Sequence, residues 1–270
     1  MNRDDILKYY SFEIEKNRLE HELFQLEGIR TKEIIGRYIQ NKKLKIIDIG
    51  GGAGFYSFWL KEQGHNVSLI DLSPVNIELA KAYSDNKQIK LDRIEIGDAI
   101  KLNSNDKEFD IALLMGPLYH LINKEDRLKA LSEVQRILKP GGIVICAFIS
   151  RYASLFDTFD RDLILDKRME KIMLNDLNKG VHINDTENPE YFTTAYFHTP
   201  AEIKNEIIES GLIFTKLLAV ESFAWIIKNF SDKKKNKNYM KKLVGTLNLV
   251  EENPDLIAIS PHILGIATKK

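Results

Sequence analysis

The chain has one cysteine, carries no net charge, and nowhere places about 18 apolar residues in succession. The lone Cys146 excludes a disulfide framework, and its place in the apolar run Ile143 to Ile149 reads as a small core residue. Lysine plus arginine and aspartate plus glutamate number 39 each, so no global field draws the protein to nucleic acid or to an anionic membrane. The opening MNRDD lacks the apolar core of a secretory leader, which sets the expectation of a soluble, cytoplasmic protein with no membrane partner. Internal repeats are absent, and the lysine run Lys233 to Lys237 reads as an exposed loop. What is present is 270 residues of which 44% are hydrophobic, enough for one large domain or a domain with a cap.

The organising stretch is Leu44 to Ser57, LKIIDIGGGAGFYS. Leu44, Ile46, Ile47 and Ile49 make a short, mostly β-branched run, as in a strand covered on both faces of a parallel sheet. Gly50, Gly51, Gly52 and Gly54 then allow a backbone to approach a ligand closely at the start of the next helix. The dinucleotide spacing G-x-G-x-x-G fails, because Phe55 stands where the third glycine belongs, and this disfavours a nicotinamide-dependent oxidoreductase.

Asp48, Gly50, Gly52 and Gly54 instead spell D-x-G-x-G-x-G, which resembles motif I of the class I S-adenosylmethionine-dependent methyltransferases, the small-molecule members in particular. Three later runs fall in the same order: Val67 to Ile70 ending in Asp71, Arg93 to Ile96 ending in Gly97-Asp98-Ala99, and Phe109 to Met115. The resemblance spans residues 44 to 150 by motif and implies S-adenosyl-L-methionine as cofactor. It implies that Gly50 and Gly52 face the methionine portion, Asp71 the ribose, Asp98 and Ala99 the adenine, and Gly116 to His120 the methyl and acceptor, with Gly51, Gly54, Leu72 and Met115 also among the cofactor contacts. Asp48 would hold the turn or the cofactor's amino group. It also implies an N-terminal extension folded over the cofactor, so that Tyr9, Tyr10 and Arg18 become contact candidates.

The whole is read as an α/β, Rossmann-like, doubly wound sheet of seven mostly parallel strands. Residues 1–43 form a helical cap, as two amphipathic helices broken near Gly28. Residues 44–270 form the cofactor-binding domain, with helices at Tyr56 to Gln63, Pro74 to Ser84 and Lys124 to Leu138, and a stop at Lys139-Pro140-Gly141-Gly142 before strand 5. Residues 151–198, rich in aromatics and charge and without a clear strand-helix unit, read as a substrate-covering insertion. A helix from Thr199-Pro200 and strands at Ile213 to Val220 and His262 to Thr268 complete the sheet.

His120, just past strand 4, is the candidate general base, because an imidazole titrates near neutrality. Tyr119 is grouped with it as a pocket wall; His182, Tyr196 and His198 are candidates to meet the acceptor. His120, His182 and His198 share no metal-ligand spacing, so no metal is expected. The segment Met115-Gly116-Pro117-Leu118-Tyr119 lacks the acid-or-amide, Pro-Pro, aromatic signature of amino-methylating relatives, and no Pro-Cys nucleophile stands there. The acceptor is therefore expected to be a small molecule, methylated on O, N or C, by a monomer or homodimer. A cofactor-binding protein without turnover is the alternative.

Overall fold

A computed structural model describes residues 25–39, 43–186, 188 and 191–270. Strands β1 (Lys45–Ile49), β2 (Asn66–Asp71), β3 (Arg93–Ile96), β4 (Phe109–Leu114) and β5 (Leu138–Ser150) pair in parallel in the order β3-β2-β1-β4-β5. The insertion adds β6 (Val181–His182) and β7 (Ala195–His198), and the chain continues through β8 (Ile213–Ala219) to β9 (His262–Thr268). β9 lies antiparallel between β5 and β8. Among the described residues the sheet thus has nine strands rather than seven, because the insertion contributes two short ones.

Among the described residues the helices are α1 (Gln25–Gly36), α2 (Phe55–Glu62), α3 (Pro74–Lys87), α4 (Pro117–His120), α5 (Lys124–Ile137), α6 (Ala153–Asp160) and α7 (Lys167–Lys179). They continue with α8 (Pro200–Glu209), α9 (Phe230–Lys233), α10 (Lys237–Val250) and α11 (Pro254–Ile257). Alternation along the strands sends Ile47, Ile49, Ala112, Leu114, Val144 and Cys146 to one face, where they pack with α5 and α8. Ile46, Ile111, Leu113, Ile145 and Ile149 go to the other, against α1 and α2. Both faces are covered, which is why β1 is apolar but for Lys45 at its start and Asp48.

Two local expectations change. Helix α1 runs through Gly28 without a break. Leu26, Ile34 and Ile35 are buried along it, and Arg30, fully buried, donates to the carbonyl of Val220 and pairs with Glu33 and Glu251. Tertiary packing outweighs the cost of about 1 kcal/mol for one helical glycine. Lys139-Pro140-Gly141-Gly142 also lies within β5, as a bulge: Phe109 pairs with Leu138, but Ile111 pairs with Ile143.

One register places the insertion. Ile149 of β5 pairs with His262 of β9 and also with Phe197 of β7. A strand has two edges, so β7 occupies the edge that β4 leaves after Leu114 pairs with Cys146. The β6-β7 hairpin therefore stands beyond the carboxyl end of β4.

Candidate active site

Asp48 sits one residue before the end of β1, fully buried, and accepts a hydrogen bond from Ser57 Oγ of α2 at 2.7 Å. Its other oxygen has no hydrogen-bond partner. Burial pushes its carboxyl up to about 7; the Ser57 bond works against that rise and the charge of Asp71 adds to it. At Gly50, with φ +70°, a β-carbon would stand 2.5 Å from Pro117 Cδ, so the corner after β1 is pressed against the one after β4. Gly116 closes the same contact: a β-carbon there would lie 3.4 Å from the Gly50 carbonyl. A β-carbon at Gly51 would collide with the Asp48 carboxyl, so Asp48 lies directly under the turn.

Asp71 ends β2 and reaches back to this turn. Its Oδ2 accepts the Gly52 amide at 2.8 Å, and its Oδ1 accepts the Ser73 amide at 2.8 Å and Asn76 Nδ2 at 3.1 Å. Burial is the largest influence on this carboxyl and raises its pKa, against the pull of those three bonds. Gly97, past β3, donates to the Asp71 carbonyl at 3.0 Å, which brings the third corner alongside. Asp98 folds its carboxylate onto the Ile100 amide at 3.2 Å, Ala99 is buried, and Leu72 is half-buried beside Asp71.

Past β4, half-buried Met115 leads into α4. The Tyr119 hydroxyl donates to the Met115 carbonyl at 3.1 Å, and the buried His120 ring lies 4.7 Å from that of Tyr119. Phe192 of the insertion faces His120 at 6.4 Å with only 26° between planes, and Phe197 lies 6.4 Å behind Phe192. The structure thus gathers Asp48, Gly50 to Gly52, Asp71 and Met115 to His120 at one end of the sheet, with the insertion over them.

The other candidates stand apart. His182 Nδ1 bonds Asp176 at 2.8 Å and its Nε2 bonds the Tyr191 carbonyl at 2.6 Å, so both ring nitrogens serve the insertion itself. Its ring meets Phe192 in a T-shaped contact at 6.0 Å and stacks on Phe197 at 5.0 Å. Tyr196 and His198 alternate with Phe197 and point to the opposite face of the sheet. There His198 meets Phe148 at 4.9 Å and Tyr196 bonds Glu202 at 3.0 Å. Tyr9, Tyr10 and Arg18 lie outside the described residues. Sequence reasoning passed over Ser57, Asn76 and Phe192 as site residues, and also Arg127, whose place in the apolar stripe with Ala130, Leu131 and Val134 was a legible signal.

A sequence model described as a methyltransferase domain matches residues 47–146. The ubiquinone biosynthesis O-methyltransferase of Rickettsia canadensis (strain McKiel) is 32% identical over 193 residues, which cover 72% of this chain and 72% of that one. The chain belongs to the S-adenosylmethionine-dependent methyltransferase family. The similarly named protein of Rickettsia typhi (strain ATCC VR-144 / Wilmington) is 33% identical over 133 residues, 48% of this chain and 52% of its own length. This chain thus spans about half the length of several of the curated relatives it matches. In fold it is similar to a SAM-dependent methyltransferase of Methanosarcina mazei, at 20% identity and a TM-score of 0.60, covering 87% of this chain and 96% of that one. It is also similar to the [4+2]-cyclase SpnF, at 15% identity and a TM-score of 0.56, covering 89% and 80%.

S-adenosyl-L-methionine is the cofactor of this family, and the residues present fit it. Gly52, at φ +59°, has open space where a side chain would stand, with nothing nearer than Asn76 Nδ2 at 4.0 Å. Gly50, Gly51 and Gly54 are packed against Pro117, Asp48 and Phe58, so Gly52 is the glycine of this turn left to face a ligand. The fully buried Asp48 Oδ1 beneath this turn lacks a donor.

Proposed function

We propose that the chain transfers a methyl group from S-adenosylmethionine to a small-molecule acceptor, and that the acceptor atom is a hydroxyl oxygen. The single observation that carries the reading is the bond from the Gly52 amide to Asp71 at 2.8 Å, which draws the corners after β1 and β2 together beside the corner after β4. The oxygen preference is supported by relatives named O-methyltransferases. Bound S-adenosylmethionine supplies an electrophilic methyl on a sulfonium; alignment and exclusion of water are the protein's part.

The turn Gly50 to Gly54, through Gly52 and with Asp48 beneath it, would hold the methionine portion, Asp71 the ribose, and Leu72, Asp98 and Ala99 the adenine. Asp71 Oδ2 accepts one bond in the fold and keeps a lone pair for a ribose hydroxyl. Tyr119, Phe192 and Phe197 wall the acceptor end. His120 takes the proton of the acceptor hydroxyl as the oxygen gives up its lone pair. Tyr119, whose hydroxyl is spent on Met115, lines the pocket.

Because the same fold serves a [4+2]-cyclase, turnover needs its own test. Calorimetric titration with S-adenosylmethionine and with NAD separates the cofactors, and binding of NAD alone would overturn the reading. Release of S-adenosylhomocysteine with hydroxylated aromatic acceptors such as 3,4-dihydroxybenzoate tests the oxygen. Methylation of amines alone would move the acceptor atom to nitrogen.

A further inference from the structure

One guanidinium touches three elements around this site. Arg127 Nη1 donates to the carbonyls of Leu121 at 2.8 Å and Ile122 at 2.7 Å, the two residues that follow His120. Its Nε and Nη2 donate to Glu206 of α8 at 2.9 and 2.7 Å. Its flat face lies 3.8 Å from the centre of the Tyr196 ring in β7. Both side chains of the ion pair are buried, at 2% and 4% exposure.

The contacts close into a ring. Tyr196 donates to Glu202 at 3.0 Å, Glu202 receives Arg151 at 2.8 Å, and Arg151 Nε donates to the carbonyl of Phe197 at 2.8 Å. Phe197 backs Phe192, and Phe192 faces His120. His120 then leads through the backbone to the two carbonyls that Arg127 holds. Burying an ion pair is a poor route to stability, since apolar side chains of similar volume serve as well or better. Packing α5 on α8 does not require a group that reaches two backbone carbonyls and an aromatic face.

We propose that Arg127 is a positioning residue that sets the spacing between His120 and Phe192, joining the loop after β4 to the hairpin that covers it. The catalytic consequence rests on the methyl-transfer reading above; the structural linkage does not.

The test therefore has two arms. Arg127→Lys keeps the charge and loses the planar fork. In the full chain saturated with S-adenosylmethionine, hydrogen exchange is expected to rise together in residues 117–123 and 195–198 and to stay unchanged in β1 and β2. Faster exchange confined to α5, or to one of the two segments, overturns the linkage. In turnover of 3,4-dihydroxybenzoate, Arg127→Lys is expected to lower kcat at least tenfold, with cofactor affinity within twofold of the parent. In a Phe192→Leu background the same change is expected to cost less than threefold, because the spacing it protects is already lost. Equal losses in both backgrounds indicate a purely structural role and overturn the positioning. If Arg127→Lys does not fold, Tyr196→Leu removes the stacked face together with the bond to Glu202, two links of β7 to this ring, and is read by the same two arms. If the parent chain does not turn over this acceptor, the oxygen reading fails for it, while the exchange arm still decides the linkage.

Discussion

Asp71 and Asp48 are two buried carboxyls with opposite relations to hydrogen bonding. Asp71 has three donors within the fold, whereas Asp48 has one. Asp71→Ala is expected to weaken S-adenosylmethionine binding by about 1–3 kcal/mol, through loss of charge-assisted bonds, as read by calorimetry; unchanged affinity would place the ribose elsewhere. Asp48, pushed up to about 7, keeps its proton in the folded state across pH values where the unfolded chain, near its ordinary value of about 4, has lost it. The folded state binds more protons in that window, so this group's contribution to stability falls as pH rises from about 4 to about 7, by at most about 1.4 kcal/mol per unit. Asp48→Asn has no proton to release, and urea unfolding at several pH values should show a flatter profile, with the variant gaining on the parent toward neutral pH. His120→Ala should lower turnover at least about a hundredfold if its ring takes the proton, while leaving cofactor affinity in place. Both aspartates were legible in the sequence because each stands at or one residue before the end of an apolar run, and a parallel sheet delivers all such ends to one side. Tyr196 and His198 were not separable from the pocket by composition, yet their even spacing about Phe197 already assigned them to the other face.

The elements divide along the same line. β1, β2, β4, β5, α3, α5 and α8 were readable because each buries a patterned face or carries its own cap. Thr199 is an example: it accepts the Glu202 amide, and Glu202 reaches back to the Thr199 amide at 2.7 Å. Thr199→Ala should cost about 1 kcal/mol, seen as a lowered unfolding midpoint in urea with an unchanged slope. β7 was hidden for the converse reason. It has four residues, and only Ile149 and Ser150 of β5 pair with it in parallel, so its strand character comes from its neighbours. Phe192 just before it holds φ +63°, a strained conformation for an aromatic residue that no sequence pattern announces.

At the scale of the whole molecule, the fold and the cofactor are one equilibrium. A ligand that binds the native state stabilises it by about 2.7 kcal/mol at a concentration of about one hundred times Kd. Thermal unfolding should therefore shift upward with S-adenosylmethionine and stay put with NAD. No helix among the described residues is long and apolar enough to cross a membrane. The antiparallel strand β9 has a last consequence. It is the wedge between β5 and β8, and it lies about as late in the chain as any paired segment. During synthesis the cofactor half can emerge and begin to pair while the inner edge of β5 stays bare, awaiting residues that the ribosome has yet to deliver. A nascent chain stalled before His262 would present two unsatisfied borders at once, and chaperone capture or clumping of such truncated forms is the expected fate.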